Sequence, residues 1–182
     1  MKLLACPKCH QQLHLENKTL KCENNHCYDI SKRGYINLLL NPDKATNNPG
    51  DSKESLVARK AYLNKGYYDP ILNQVITCID EFKHQDDLSI LDLGCGEGYY
   101  TQGLKKHFEN SDIYGLDISK IAIDMATRYR KDVTWLVGNS KNIPILDHSL
   151  DFICALFTVV NQDELKRALK EDGYIVNVTA NN

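Results

Sequence analysis

The sequence predicts an α/β fold in which a parallel β-sheet carries helices on both faces, behind a small N-terminal unit rich in cysteine and histidine. Three observations predict it. Strand-like and helix-like segments alternate from residue 88 onward, a glycine-rich turn joins the first of these strands to the next helix, and four of the seven cysteines fall within the first 27 residues. The 182 residues suffice for one full domain and a small appendage.

The alternation of apolar strands and amphipathic segments gives each predicted element a range. We expect strands over 88–93, 112–116, 133–137, 150–157 and 174–178, and helices over 52–65, 69–82, 99–108, 119–130 and 161–170. Pro70 suits the first turn of the second helix, and Ser119 suits an N-cap position. Strands that alternate with helices in this way form a parallel sheet with both faces covered.

The composition excludes several classes of protein. A net charge of −2 gives no bulk attraction for nucleic acid, so any RNA contact must come from local patches. No apolar run approaches the roughly 18 residues that a membrane span needs, and the N-terminus lacks the apolar core of a signal peptide. We therefore expect a cytoplasmic protein without membrane contact. Clustered cysteines in such a protein favour metal ligands over disulfides.

The N-terminal cysteines have the spacing of a zinc site. A Cys-x2-Cys turn is followed, after twelve residues, by Cys-x3-His, with short strands of a hairpin predicted at 13–15 and 19–21. Cys27 and His10 compete with His26 for the fourth position, and we favour His26. Four protein ligands leave no open position, so the site is structural, and a unit of this size has no other core. The predicted ligands are Cys6, Cys9, Cys22 and His26.

The composition divides the chain into three parts. Residues 1–30 are predicted to be the zinc-binding module. Residues 31–51 mix one apolar patch with Asn, Pro and Gly and are predicted to be a connector. Residues 52–182 contain all the alternating strands and helices and are predicted to be the α/β domain.

The segment ILDLGCGEGYY, residues 90–100, lies between a predicted strand and helix. Gly94, Gly96 and Gly98 let the backbone turn tightly and approach a ligand closely. The nicotinamide fingerprint places its third glycine one residue later, and here Asp92 stands two residues before the first glycine. This pattern is typical of S-adenosylmethionine sites, whose ligand carries a positive sulfonium and amino group and no pyrophosphate. We therefore predict a Rossmann-type S-adenosylmethionine site.

Two further strand ends contribute to the predicted site. Asp117 ends the second strand of the domain, where a carboxylate can accept both ribose hydroxyls. The alternative is a simple charge at a helix N-terminus. Asn139 follows the third strand, where many methyltransferases place an Asp that binds the adenine amine. The alternative is an ordinary polar loop residue.

Together these motifs resemble the bacterial 23S rRNA guanine-N(1)-methyltransferases, the group that includes macrolide-resistance enzymes. The resemblance extends from Cys6 to about Val178. The matching segments are CPKCHQQL, the Cys22 and His26 pair, 34–39, 49–52, 58–59, Gly66-x-Tyr68-x-Pro70, LDLGCGEGYYT and LDISKIAI. Combined, they are much more specific than a methyltransferase glycine motif alone.

The resemblance implies a zinc ribbon followed by a class I methyltransferase domain, with S-adenosyl-L-methionine and structural Zn²⁺ as cofactors. It implies methyl transfer to a ring nitrogen of guanine in a 23S rRNA hairpin, with the base flipped out of its stack. No residue is identified as the general base, and a homodimer is an open alternative to a monomer. Tyr68 and Glu97 enter the site by resemblance. The complete predicted cofactor set is Tyr68, Asp92, Gly94, Gly96, Glu97, Gly98, Asp117 and Asn139.

Two departures from the family pattern alter these expectations. The family has an aromatic-Ala-Pro segment after its fourth strand, where this chain has Leu-Phe-Thr-Val at 156–159. The family also continues well beyond the fifth strand, whereas this sequence ends at Asn182. We therefore expect an incomplete sheet with an exposed apolar edge at 174–178, and impaired activity. The alternatives are a non-catalytic remnant that binds cofactor or RNA, and a small-molecule methyltransferase.

Overall fold

The computed structural model describes residues 1–40 and 51–180. Over these ranges the chain forms a six-stranded parallel sheet with helices, and a separate three-stranded antiparallel sheet at the N-terminus. The predicted fold class is thereby confirmed. Residues 49 and 50, which carry part of the family resemblance, lie outside the described residues.

The N-terminal sheet contains one strand more than the predicted hairpin. The strands are β1 (His14–Glu16), β2 (Thr19–Lys21) and β3 (Cys27–Asp29), with β2 in the centre. The third strand begins directly after His26 and pairs antiparallel with β2. The hairpin therefore carries both Cys-x2-Cys and Cys-x3-His segments to one end of a small sheet.

The large sheet has the strand order β4-β7-β6-β5-β8-β9, and every neighbouring pair is parallel. Its strands are β4 (Ile36–Asn37), β5 (Ser89–Leu93), β6 (Asp112–Asp117), β7 (Thr134–Val137), β8 (Leu150–Leu156) and β9 (Leu169–Val178). The helices are α1 (Lys53–Leu63), α2 (Asp69–Phe82), α3 (Tyr99–His107), α4 (Lys120–Ala126) and α5 (Gln162–Ala168).

The order of the strands reverses beside β5. From β5 the chain builds β6 and β7 on one side, then returns to place β8 on the other side. In open parallel sheets, ligands bind outside the carboxyl ends of the strands at this point of reversal. The loops after β5, β6, β7 and β8 therefore surround the expected site.

Within residues 1–40 and 51–180 the sheet has six strands, so the prediction of five was incomplete. Ile36 and Asn37 pair in parallel with Leu136 and Val137 of β7, within the segment predicted to be a connector. The Leu38 N–H also donates to the Val137 carbonyl at 2.8 Å. This short strand forms because Ile36 and Leu38 bury their side chains in the core while the backbone pairs with β7.

The C-terminal segment differs from the prediction in its boundaries. The helix predicted over 161–170 ends at Ala168, and β9 begins at Leu169 rather than at residue 174. A register shift lies between the pairs Leu150–Leu169 and Phe152–Tyr174, which accommodates the additional residues of β9. Within the described ranges β9 is an edge of the sheet, as predicted, and Ile175 on it is 39% exposed.

The core consists of two clusters of apolar residues. One contains side chains of α2, α3 and α4 together with strand residues such as Phe152 and Trp135. The other joins strand residues such as Leu116 and Leu136 to the N-terminal Leu4, Leu13 and Leu20 and to residues of α5. The N-terminal module thus shares a core with the sheet, and burial of each such leucine stabilises the fold by about 1.5–3 kcal/mol.

None of the helices in the described part of the chain is long and apolar enough to cross a membrane.

Candidate functional site

The four predicted zinc ligands come together at one end of the N-terminal sheet. His26 Nδ1 lies 3.4 Å from Cys6 Sγ, 3.5 Å from Cys9 Sγ and 3.4 Å from Cys22 Sγ, and the Sγ atoms of Cys9 and Cys22 are 3.6 Å apart. Tetrahedral zinc with ligands at about 2.0–2.3 Å requires ligand atoms about 3.5–3.8 Å apart. The cluster therefore has the dimensions and the donor set of a closed Cys3His zinc site.

The two alternatives for the fourth ligand lie outside this cluster. Cys27 is exposed, and its Sγ donates to the Asn25 carbonyl at 3.4 Å. His10 is exposed in the turn that follows Cys9. The geometry therefore favours His26.

The surroundings of the cluster are suited to thiolates. The Gln11 backbone N–H lowers the pKa of Cys9 to about 6, whereas burial raises the pKa of Cys22. The Tyr28 hydroxyl lies 3.3 Å from Cys6 Sγ and can donate to a thiolate there. A bound Zn²⁺ ion would offset the burial of these sulfur atoms.

The glycine loop after β5 divides into two packed glycines and one open glycine. All three predicted glycines have positive φ: +72° at Gly94, +56° at Gly96 and +86° at Gly98. A Cβ atom at Gly94 would lie 2.4 Å from Thr158 Oγ1, and one at Gly98 would lie 2.6 Å from the Trp135 ring. A Cβ atom at Gly96 would meet nothing within 4 Å. The loop thus turns its backbone at Gly96 toward open space, where a ligand can approach it.

This contrast predicts different outcomes for two alanine substitutions. Gly98→Ala combines backbone strain with a clash against Trp135 and should destabilise the fold by about 2–4 kcal/mol. Gly96→Ala carries the backbone strain alone, about 1–2 kcal/mol, but should weaken cofactor binding because the methyl group occupies the open side of the loop. Urea denaturation and calorimetry measure the two effects, and equal destabilisation by both substitutions would contradict this interpretation.

Asp117 connects the end of β6 to the glycine loop. Its Oδ2 accepts the Gly96 N–H at 2.9 Å, and its Oδ1 accepts the Ser119 N–H at 2.7 Å. Burial raises the pKa of this carboxyl, and the two N–H donors oppose that rise. Each oxygen keeps a further lone pair, so the carboxylate is fixed in place and can still accept hydroxyl donors.

Three of the predicted cofactor residues share one cavity at the carboxyl ends of the strands. Gly94, Asp117 and Asn139 line it together with Thr158, which follows β8. Asn139 also shapes its own loop, because its Oδ1 accepts the Lys141 N–H at 3.0 Å. The cavity lies at the predicted point of strand reversal. Thr158, whose side chain packs directly against Gly94, carries no sequence signal that identifies it as a site residue.

Three further predicted residues surround this cavity without lining it. Asp92 is fully buried and accepts the Thr101 hydroxyl at 2.5 Å, so it braces the loop against α3. Glu97 is buried and lines a separate cavity with Lys60 of α1 and with residues of α3. Tyr68 packs edge-on against Phe157, with ring centroids 6.1 Å apart.

The acidic groups around the glycine loop form an environment that favours a cation. Burial raises the pKa of Asp92 to about 7, and it also raises the pKa values of Glu97 and Asp117. Arg59 on α1 lowers the pKa of both Glu97 and Asp117. The sequence signal for Arg59 was its place in segment 58–59, which resembles the family. A ligand with sulfonium and ammonium charges would stabilise these carboxylates, whereas a pyrophosphate would be repelled.

The raised pKa of Asp92 predicts a pH dependence of stability. The folded state keeps this proton from its ordinary value near 3.8 up to about 7, so unfolding releases it and stability falls as the pH rises through that range. Asp92→Asn should therefore match the natural protein near pH 4 and exceed its stability at pH 8, by up to about 4 kcal/mol. Denaturation at several pH values measures the difference, with Asp112→Asn, at an exposed strand end, as the control. Parallel profiles for Asp92→Asn and the natural chain would contradict the prediction.

The end of β8 carries an exposed aromatic residue in a strained conformation. Phe157 has φ +58° and is 40% exposed, and its N–H donates to the Val178 carbonyl at 2.8 Å. It precedes Thr158 of the cavity and contacts Tyr68. Strain of this kind at a non-glycine residue is typical of functional sites. This is also where the sequence departs from the aromatic-Ala-Pro pattern.

Comparison with known families finds two matching segments in the chain. Residues 4–45 match the family model for the N-terminal zinc ribbon of RlmA. Residues 90–173 match the family model described as a methyltransferase domain. The first match covers the Cys3His cluster and β4, and the second covers the glycine loop, Asp117 and Asn139.

Curated relatives match nearly the whole chain. A 23S rRNA (guanine(748)-N(1))-methyltransferase of Streptomyces fradiae is 29% identical over 181 residues, 98% of this chain and 64% of its own length. YxjB of Bacillus subtilis (strain 168), a proposed 23S rRNA (guanine-N(1)-)-methyltransferase, is 30% identical over 183 residues, 97% of this chain and 64% of its own length. The chain therefore spans a little under two thirds of these relatives.

Solved structures support the fold. The crystal structure of a proposed S-adenosyl-L-methionine-dependent methyltransferase from Methanococcus maripaludis superposes with a TM-score of 0.58, at 23% identity. The superposition covers 72% of this chain and 67% of the Methanococcus maripaludis chain. The zinc-ribbon match, the methyltransferase match and the full-length similarity agree. In chain order, this protein therefore contains a segment that matches the RlmA N-terminal zinc ribbon and a segment that matches a methyltransferase domain, and over nearly its whole length it is similar to 23S rRNA guanine-N(1)-methyltransferases.

Proposed function

We propose that this protein transfers a methyl group from S-adenosyl-L-methionine to a ring nitrogen of guanine in 23S rRNA. The observation that carries the proposal is similarity to rRNA guanine-N(1)-methyltransferases that continues from the zinc ribbon through the methyltransferase domain, over 97–98% of the chain. A small-molecule methyltransferase would require only the second of these parts.

The strand ends supply the cofactor contacts in this proposal. Asp117, already fixed by the N–H groups of Gly96 and Ser119, would accept the ribose hydroxyls, and Asn139 would lie beside the adenine. The carboxylates of the loop would stabilise the positive charges of the ligand. When bound, S-adenosyl-L-methionine supplies an electrophilic methyl group.

The acceptor base would enter beside β8. Phe157 and Tyr68 present aromatic rings next to the Thr158 side of the cavity, and aromatic rings can stack a base that has left its helix. The N1 proton of guanine must also be removed, and the structure assigns no side chain to that role.

The test measures transfer of labelled methyl groups to 23S rRNA that lacks the modification. Methylation at N1 blocks Watson–Crick pairing, so reverse transcription should stop at the modified guanine. Asp117→Asn serves as the control with an impaired cofactor site. Unlabelled RNA, with the cofactor still bound, would contradict the proposed transfer and would identify a protein that binds without turnover.

Three finer parts of the proposal concern the surroundings of the protein. We place it in the cytoplasm, with the ribosomal RNA of its proposed reaction. The RNA target is proposed to be a hairpin, which labelling of short transcripts tests. A second copy of the chain as partner is tested by sedimentation velocity.

A further inference from the structure

The N-terminal module contacts the same loop that walls the cofactor cavity. This cofactor-wall loop, residues 138–146, leaves β7 and contributes Gly138, Asn139 and Ser140 to the cavity. Its remaining residues run across the N-terminal module. The Ala5 N–H donates to the Pro144 carbonyl at 3.0 Å, and the Leu146 N–H donates to the Leu3 carbonyl at 2.9 Å.

One side chain of the loop connects the metal-binding turn to the cavity. Asn142 Nδ2 donates to the carbonyl of Pro7, the residue directly after Cys6, at 2.9 Å. The Asn142 backbone N–H donates to the Asn139 carbonyl at 3.1 Å. A continuous path thus leads from a metal ligand through two hydrogen bonds to a residue of the cavity lining.

The far half of the loop, 143–146, has an additional anchor. Glu164 Oε2 accepts the Ile143 N–H at 2.7 Å, and Arg167 donates to the carbonyls of Ile143 and Ile145 at 2.7 and 2.8 Å. These bonds come from α5 and hold the far half, 143–146, in addition to its backbone bonds with Ala5 and Leu3 of the module. The near half, 138–142, is tied to the module through the bond from Asn142 to Pro7. A change at this turn should therefore loosen the near half while α5 still holds the far half.

On the basis of the proposed cofactor site, we propose that Asn142 is a positioning residue that couples metal binding in the Cys3His cluster to cofactor binding. The metal holds the turn from Cys6 to Cys9 in one conformation, which places the Pro7 carbonyl to receive Asn142. Without the metal, this turn keeps its backbone bonds from the Cys6 N–H to the Gln11 carbonyl and from the His10 N–H to the Cys6 carbonyl. Its two cysteines are then no longer tied to Cys22 and His26, so the Pro7 carbonyl is held less firmly. Cofactor binding must then order the near half of the loop, which lowers the affinity.

Thermodynamic linkage makes the coupling measurable in both directions. S-adenosylhomocysteine should bind about tenfold more weakly to chelator-treated protein than to zinc-loaded protein, as measured by calorimetry. Reciprocally, saturating S-adenosylhomocysteine should tighten zinc binding by the same factor, as measured by competition with a metallochromic chelator. Equal S-adenosylhomocysteine affinities in the two forms would overturn the proposal.

A variant tests the path without removing the metal. Zinc-loaded Asn142→Ala should keep its metal and bind S-adenosylhomocysteine about fivefold more weakly, as loss of one hydrogen bond predicts. Its affinity should also become nearly independent of zinc. Thr19→Val, which removes the 2.9 Å bond from Thr19 to Asp29 elsewhere in the module, is the matched control and should behave as the natural protein.

The possible failures are distinguishable. If zinc-loaded Asn142→Ala binds S-adenosylhomocysteine as tightly as the zinc-loaded natural protein does, the proposed role of Asn142 is overturned. This comparison holds even if the chelated protein unfolds. Binding of S-adenosylhomocysteine without RNA methylation would contradict the proposed function and leave the coupling in place. Absence of S-adenosylhomocysteine binding under every condition would contradict both.

Discussion

Asp117→Asn should weaken S-adenosylhomocysteine binding by about 30- to 150-fold, which corresponds to about 2–3 kcal/mol. The carboxylate is held by the N–H groups of Gly96 and Ser119, so its remaining lone pairs are aimed before the ligand arrives. An amide has one acceptor oxygen and cannot replace both charge-assisted hydrogen bonds to ribose. The substitution would also weaken one of the three hydrogen bonds between the glycine loop and β6, the other two being those from the Gly94 and Cys95 N–H groups to the Leu116 carbonyl.

Calorimetry with S-adenosylhomocysteine measures this effect directly. Asp132→Asn is the matched control, because Asp132 pairs with Arg130 at 2.7 Å outside the cavity and should leave the affinity unchanged. A nicotinamide dinucleotide should not bind to either variant or to the natural protein. Unchanged affinity in Asp117→Asn would mean that the ribose is held elsewhere.

Cys9→Ser should remove the metal from the N-terminal module and unfold it. Structural zinc contributes about 10–16 kcal/mol of apparent binding free energy in small modules, and three remaining ligands hold the ion far less tightly. Because Leu4 and Leu20 of the module belong to the sheet's own core, the thermal midpoint of the whole chain should fall as well. Metal analysis, hydrogen exchange over residues 1–30 and thermal unfolding measure these effects.

Cys27→Ser provides the sharp comparison for this experiment. Cys27 is next to His26 in sequence but lies outside the Cys3His cluster. The variant should keep about one metal ion per chain and the natural thermal midpoint. Loss of metal in Cys27→Ser, with retention in His26→Ala, would reverse the assignment of the fourth ligand.

The sequence predicted the elements that have strong local signals. Apolar runs that end in glycine or a carboxylate located β5 and β6 to within one residue, and Pro70 marked the start of α2. The glycine spacing also pointed to the loop at the strand reversal. These features are visible because the chemistry that specifies them lies within a few consecutive residues.

The features that were missed depend on contacts between distant segments. Ile36 and Asn37 form a strand only because the β7 edge and the sheet core are beside them, and two residues show no periodicity. The end of α5 at Ala168 follows from pairing of Leu169 with Leu150. In the sequence Asn142 is an ordinary loop residue. The fold brings it to its hydrogen-bond partner Pro7, which lies 135 positions away in the sequence.

The short strand β4 has a consequence for the way this chain can be divided in the laboratory or in evolution. A fragment that begins at residue 52 would lack Ile36, Asn37 and Leu38, and would expose the β7 edge with its unpaired backbone groups. Such an edge invites pairing with other chains and aggregation. The zinc ribbon therefore cannot be exchanged for another one independently of the sheet. A replacement domain must supply a strand that pairs with β7 as β4 does.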